Sequence, residues 1–120
     1  MNIKRGDIYW ANLEPVVGAE IGKKRPAIII SNNKNNEFAS TLTIIPITSR
    51  EPHNAELYEV YLTKGTGGLS KDSKAKCNQI RTIDKSRILT YIGNLDNDII
   101  RKLELAIKIQ LDMTSESDRL

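Results

Sequence analysis

An arginine at the mouth of an apolar segment is the best-placed chemical group in this sequence. Gly22-Lys23-Lys24-Arg25-Pro26 runs straight into Ala27-Ile28-Ile29-Ile30-Ser31-Asn32, so a basic triplet stands at the rim of a stretch with strand composition. A strand inside a sheet holds its ends rigidly, and a guanidinium fixed at such an end is aimed at a phosphate more accurately than one on a free loop. Two other groups can join Arg25. Glu20 is the lone acid of the Val16–Gly22 loop, which two glycines and the preceding Pro15 make mobile by composition, and it can swing towards the same pocket. Thr48 and Ser49 close a second apolar segment as adjacent hydroxyls, within bonding reach of a phosphate oxygen. Each has a plainer reading: a solvated basic turn, an exposed loop acid and an ordinary strand end.

The elements that must position these groups are short and mostly extended. Asp7–Leu13 is β-branched and aromatic, with Ile8, Trp10 and Asn12 on one face and Trp10 read as core. Asn32–Asn36 reads as a polar turn unsuited to helix. Pro46 cannot donate to a ladder, so Thr41–Ser49 is expected at an edge or bulged. His53 falls in a loop. Glu56–Leu62 alternates as a half-buried strand, and Gly65–Leu69 is a turn with neither the lysine nor the helix of a phosphate cradle. Lys74–Ile83 alternates and then loses its period around Asn78, a bulged strand presenting Gln79 and Arg81 to one side. Asp84–Arg87 is a turn, and Leu89–Gly93 a last strand. Asp96 then caps a helix whose Ile99, Ile100, Leu103, Ala106, Ile107 and Leu111 fall at helical spacing. Leu105 and Ile109 widen its apolar face enough for a subunit contact. The expected fold is mostly β, an SH3-like antiparallel barrel with a C-terminal helix, as a single domain over residues 1–113 with a frayed polar tail at 114–120.

Composition narrows the chemistry. At 120 residues the chain makes one domain. A formal charge of +3 and a pI near 9.0 permit a polyanionic partner. The single Cys77 and single His53 allow no internal disulfide, no Cys/His zinc site and no two-histidine acid–base pair. There is no apolar leader at Met1–Asp7 and no membrane-length apolar span, so a soluble cytoplasmic protein without metal or cofactor is expected.

Five linked motifs, in order, resemble the MazF/PemK/Kid family of bacterial toxins. They are Lys4-Arg5-Gly6-Asp7-Ile8-Tyr9-Trp10 with Leu13-Glu14-Pro15; Gly18 to Pro26; Ile45-Pro46-Ile47-Thr48-Ser49; Cys77 to Ile83; and Ser86-Arg87 through Ile92-Gly93. The resemblance implies an SH3-like barrel, a homodimer, and metal-independent cleavage of single-stranded RNA to a 2′,3′-cyclic phosphate and a 5′-hydroxyl. It also implies inhibition by a cognate antitoxin with a flexible acidic tail. Carried over by position, Arg25, Thr48 and Glu20 are catalytic, and Gln79 and Arg81 reach RNA. Asp84 stands near an acid of some members, and Asn78 replaces an acidic residue common before the glutamine. For attack by a ribose 2′-oxygen, Arg25 is expected to stabilise charge, Thr48 to hydrogen-bond a non-bridging oxygen and Glu20 to take the proton. Lys23, Lys24 and Arg81 would hold phosphates, while Ser49 and Gln79 read splayed bases. With one Trp, four Tyr and one Phe, and Trp10 read as core, base stacking is not expected to dominate. A gyrase poison of the CcdB kind and a non-catalytic RNA-binding barrel are the alternatives.

Overall fold

In the computed structural model, which describes residues 2–119, the chain forms β1 (Asp7–Asn12), β2 (Lys24–Ile29), a short helix α1 (Asn33–Phe38), β3 (Thr41–Thr48), β4 (Glu59–Leu62), β5 (Ser73–Lys76), β6 (Arg81–Asp84), β7 (Ile88–Asn94) and helix α2 (Asn97–Gln110). The strands pair antiparallel in the order β4-β5-β3-β2-β1-β7, and β6 pairs with the first half of β3. The expected class, mostly antiparallel β with a terminal helix, is the one observed.

The unbroken run Ala27–Ile30 lacks alternation because β2 is central and covered on both faces. Ile8, Ile28, Ile45 and Ile47 bury on one side with Leu103 and Ala106 of α2. Tyr9, Ala11, Ala27, Ile29 and Ile44 bury on the other with Leu42, Ile83 and Ile88. Helix α2 starts where expected: the Ile99 amide donates to Asp96 Oδ1 at 3.0 Å, satisfying one orphan donor of the first turn. Arg5 ties the helix to β2, its Nε donating to the Ile30 carbonyl at 2.9 Å and its Nη2 to Glu104 Oε2 at 3.1 Å. Beyond α2, Asp118 lies 3.6 Å from Lys108 Nζ. Among the described residues no helix is long and apolar enough to cross a membrane.

Three expectations change. Asn33–Phe38 is helical because Asn32 caps it, accepting from the Asn35 amide at 2.8 Å, and because buried Asn36 is satisfied locally by Ser31. Strand β3 is neither an edge nor interrupted at Pro46. The Thr43 carbonyl accepts from Ile30 on the β2 side, so alternation turns the Pro46 nitrogen to the opposite edge. There it falls between the last pair with β6, Ile44 with Arg81, and the first with β5, Ile47 with Ala75, where no ladder needs a donor. The irregularity around Asn78 is a 3₁₀ turn over Cys77–Gln79 that separates two strands, rather than a bulge in one.

Candidate active site

Arg25 sits at the start of β2 opposite Ala11, and the chain before it is pinned rather than free. Leu13 N donates to the Lys23 carbonyl at 2.9 Å and Lys23 N to Glu14 Oε1 at 2.6 Å. Gly22 makes this approach possible, since a Cβ there would meet Glu14 Oε1 at 2.5 Å. Arg25 Nε donates to the Gly22 carbonyl at 2.6 Å, and Nη1 lies 3.5 Å from the Ile47 carbonyl. The guanidinium is thereby fixed through Nε and Nη1, and its Nη2 donors remain for a ligand. Burial presses its pKa down, yet a guanidinium starts so far above neutrality that it stays cationic.

Two cavities meet at this side chain. One, of about 370 Å³, has Arg25, Thr48, Arg50, Glu51, Lys76 and Gln79 on its walls. The other, of about 330 Å³, lies on the far side of Arg25 and includes Trp10, Lys24, Ser49 and Lys71. The first cleft is built on one sheet face. Thr48 stands across from Lys74, which stands across from Tyr61, and Lys76 stands across from Glu59, so these side chains share a side. The Glu59 carboxylate is 3% exposed, and Lys76 Nζ lies 2.8 Å and Lys74 Nζ 3.3 Å from its oxygens. The Glu56 amide donates to it at 3.0 Å, and Lys74 Nζ also donates to the Asn54 carbonyl at 2.8 Å. This network ties β4 and β5 to the 50–58 loop and sets the pitch of the lysines along the cleft. Basic groups outnumber the lone carboxylate on that wall, Glu51, whose φ of +48° is unusual for a residue with a side chain. The arrangement suits a phosphodiester.

Residues 4–111 match the sequence model of a family described as PemK-like, MazF-like toxins of type II toxin-antitoxin systems. The chain belongs to this family. Endoribonuclease EndoA of Bacillus subtilis (strain 168) is 38% identical over 111 residues, covering 92% of this chain and 96% of that protein. The fold is that of MazF (Form-I) from Deinococcus radiodurans, with a TM-score of 0.81 at 24% identity over 94% of this chain and 99% of the other. An endoribonuclease in complex with its cognate antitoxin from mycobacterial species gives a TM-score of 0.77 at 18% identity, over 94% and 98%. At these identities the likeness to the two structures is one of fold.

Within this MazF-like barrel the residues singled out from sequence are divided. Arg25, Thr48 and Gln79 line the first cleft, and Gln79 Oε1 accepts from the Ile21 amide at 3.3 Å. Thr48 and Ser49 do not share a ligand site as adjacent hydroxyls. Successive strand residues alternate, and Ser49 enters the second cavity beside Lys24. Glu20 lines neither cavity, because its carboxylate accepts from the Val17 amide at 2.5 Å and closes a turn of its own loop. Arg81 is likewise engaged elsewhere, donating to the Leu13 carbonyl at 3.2 Å and bracing the loop base together with Arg87. Lys23 is exposed outside both cavities. Asp84 is a turn cap, its carboxyl kept below the usual range by Ser86. Trp10, expected in the core, is 41% exposed: it shares the face of Ile8, but the space over it is the second cavity rather than packed side chains.

Lys74, Lys76, Arg50 and Glu51 were not picked out from the sequence. A signal existed in Lys74-Ala75-Lys76, where two lysines fall on one side of a buried alanine, but their counter-ion Glu59 is visible only through the strand register. Cys77 is no nucleophile: burial first, and Glu59 second, push its thiol up to about 12.

Proposed function

We propose that the chain is the toxin of a toxin–antitoxin pair and cleaves single-stranded RNA by attack of a ribose 2′-oxygen on the adjacent phosphorus, leaving a 2′,3′-cyclic phosphate and a 5′-hydroxyl without a metal. The observation that carries this reading is the meeting of Arg25 and Thr48 in one cation-lined cleft. The relative named an endoribonuclease supports it. The free Nη2 donors of Arg25 bind the non-bridging oxygens and gain strength as charge grows there, with Thr48 Oγ1 adding a neutral hydrogen bond. Lys76 and Arg50 hold flanking phosphates, and Gln79 meets a base edge. The proton acceptor is Glu51, the carboxylate on the cleft wall, and water in the open cleft gives the departing 5′-oxygen its proton; Glu20 serves as acceptor only if its loop lets go of Val17. Such a toxin acts on mRNA in the cytoplasm. Its antitoxin lays a flexible acidic tail over the cations that otherwise take the RNA backbone.

A paired substrate keeps its bases stacked and its phosphates in A-form geometry, which neither the base contact nor in-line attack tolerates. With EDTA present, an oligoribonucleotide carrying the target is therefore cut when single-stranded and spared when fully paired. Equal cutting of both forms contradicts the reading, and bound but intact RNA returns the non-catalytic barrel. The apolar residues left open along and after α2, including Leu105, Leu111 at 51% exposure and Met113, fit a homodimer. Light scattering at micromolar concentration is expected to give twice the 13.5 kDa of one chain, and a single-chain mass counts against the dimer.

A further inference from the structure

The cavity on the far side of Arg25 has its own chemistry. Trp10 and Pro26 are register partners on β1 and β2, Ile47 lies on β3 just beyond the Ala27–Pro46 pair, and the three form an apolar floor. Ile92 and Leu69 close its sides. The opposing wall is the 65–69 turn, held against β7 because Gly68, at φ +86°, has no Cβ; one would come within 2.7 Å of the Ile92 carbonyl oxygen. Lys24 and Lys71 stand among its lining residues, which include no carboxylate, and Ser49 and Ser70 add exposed hydroxyls that donate or accept. At about 330 Å³ it has the size of a small-ligand site, and such sites are mostly apolar with a few placed polar groups, running from about 300 to 1,000 Å³.

We propose that this cavity binds a nucleobase of the RNA, stacked on Trp10, from a nucleotide flanking the scissile phosphate. The assignment rests on the nuclease reading and adds to it a specificity-determining residue. A flat aromatic body belongs on the apolar floor, an attached phosphate belongs at the cationic rim, and a nucleobase brings both. Arg25 fixes the position: it borders both cavities, so a phosphate on its free donors in the first cleft leaves a neighbouring base facing the second. The serine hydroxyls then face the base edge. Lys24 and Ser49, expected from sequence to meet RNA, gain a place here beside a tryptophan that was expected to be buried.

Trp10 is the only tryptophan of the chain, so its emission reports on the cavity directly. The probe is a single-stranded oligoribonucleotide spanning a mapped cut site, with a 2′-deoxy nucleotide in place of the one supplying the attacking hydroxyl. Saturable quenching of Trp10 is expected. Removing the base from one of the two nucleotides that flank the scissile phosphate abolishes the quench, and in the cleavable oligonucleotide it lowers kcat/KM roughly 10- to 100-fold. Trp10→Ala gives a loss of similar size on the intact oligonucleotide and none on the abasic one, while Trp10→Phe retains most of the rate. The abasic arm leaves the protein unaltered, so a folding defect cannot imitate it. If the parent protein cuts RNA but Trp10 emission is unmoved and both abasic substrates are cut at the full rate, the base assignment is overturned and the nuclease reading stands. Quenching by an acidic peptide and not by RNA overturns it in favour of a protein occupant. No cleavage by the parent protein overturns the nuclease reading and the base assignment with it.

Discussion

Arg25→Ala cuts single-stranded RNA at least about 10³-fold more slowly than the parent, because it removes the only guanidinium that both cavities share. The effect falls on kcat more than on KM. Lys76 and Arg50 still hold the substrate backbone, whereas the Arg25 donors matter most when charge accumulates on the non-bridging oxygens. Arg25→Lys recovers little. An ammonium cannot donate to the Gly22 carbonyl and to a phosphate with the same planar fork, so both the aim and the paired hydrogen bonds are lost. Single-turnover cleavage of an oligonucleotide in excess protein measures the chemical step, and a circular-dichroism melt establishes that the variant is folded. A folded Arg25→Ala protein that cuts at the parental rate removes the catalytic role given to this residue.

Glu59→Gln has the largest expected effect on stability. The carboxylate is nearly sealed from solvent and is bonded by two lysines, one of them buried, so neutralising it strands Lys74 without a counter-ion. Breaking a buried ion pair from one side costs about 3–5 kcal/mol, and in a domain of this size the thermal midpoint falls on the order of 10–20 °C. The same group has a pH signature. Burial raises the Glu59 pKa, but the Glu56 amide, Lys76 and Lys74 together outweigh it and leave the carboxyl below its ordinary value of 4.5. A carboxyl depressed in the folded state contributes stability that is complete above its unfolded value and is lost as the pH falls through the folded one. Melts from pH 7 to pH 3 should therefore show the parent losing stability below about pH 4.5 more steeply than Glu59→Gln. A glutamine variant with the parental midpoint and the parental acid slope contradicts the account of this network.

What the sequence revealed and what it withheld differ by the range of the interaction that decides each residue. Arg25 and Thr48 were legible because a strand end is a local feature, a composition boundary beside an apolar run. Helix α2 was legible for the same reason, with its cap and stripe contained in sixteen consecutive residues from Asp96 to Leu111. Glu20 was not, since a loop acid has many possible partners and the nearest, the Val17 amide, won. Alternation puts Trp10 on the face of Ile8, but it does not say whether another element covers that face, and over Trp10 a cavity lies instead. The missing donor of Pro46 points to an edge or a bulge only beside one continuous neighbour, whereas β3 exchanges β6 for β5 at that point. Glu59 shows itself as the counter-ion of the cleft lysines only through its cross-strand pairing with Lys76, a contact that closes across the hairpin and its intervening turn. Asn33–Phe38 shows a local signal misread: asparagines disfavour helix interiors, but Asn32 caps this one and buried Asn36 bonds Ser31.

The central claim is that Arg25 and Thr48 promote attack by the RNA's own 2′-hydroxyl rather than by water, and the chemical ends of the fragments decide it. Purified protein is incubated with a single-stranded RNA and EDTA, and the new 5′ ends are tested for phosphorylation by a polynucleotide kinase without prior phosphatase treatment. Attack by the 2′-hydroxyl gives 5′-hydroxyl ends that take the label at once, each facing a 2′,3′-cyclic phosphate on the upstream fragment. Fragments bearing 5′-phosphates and free 3′-hydroxyls contradict it.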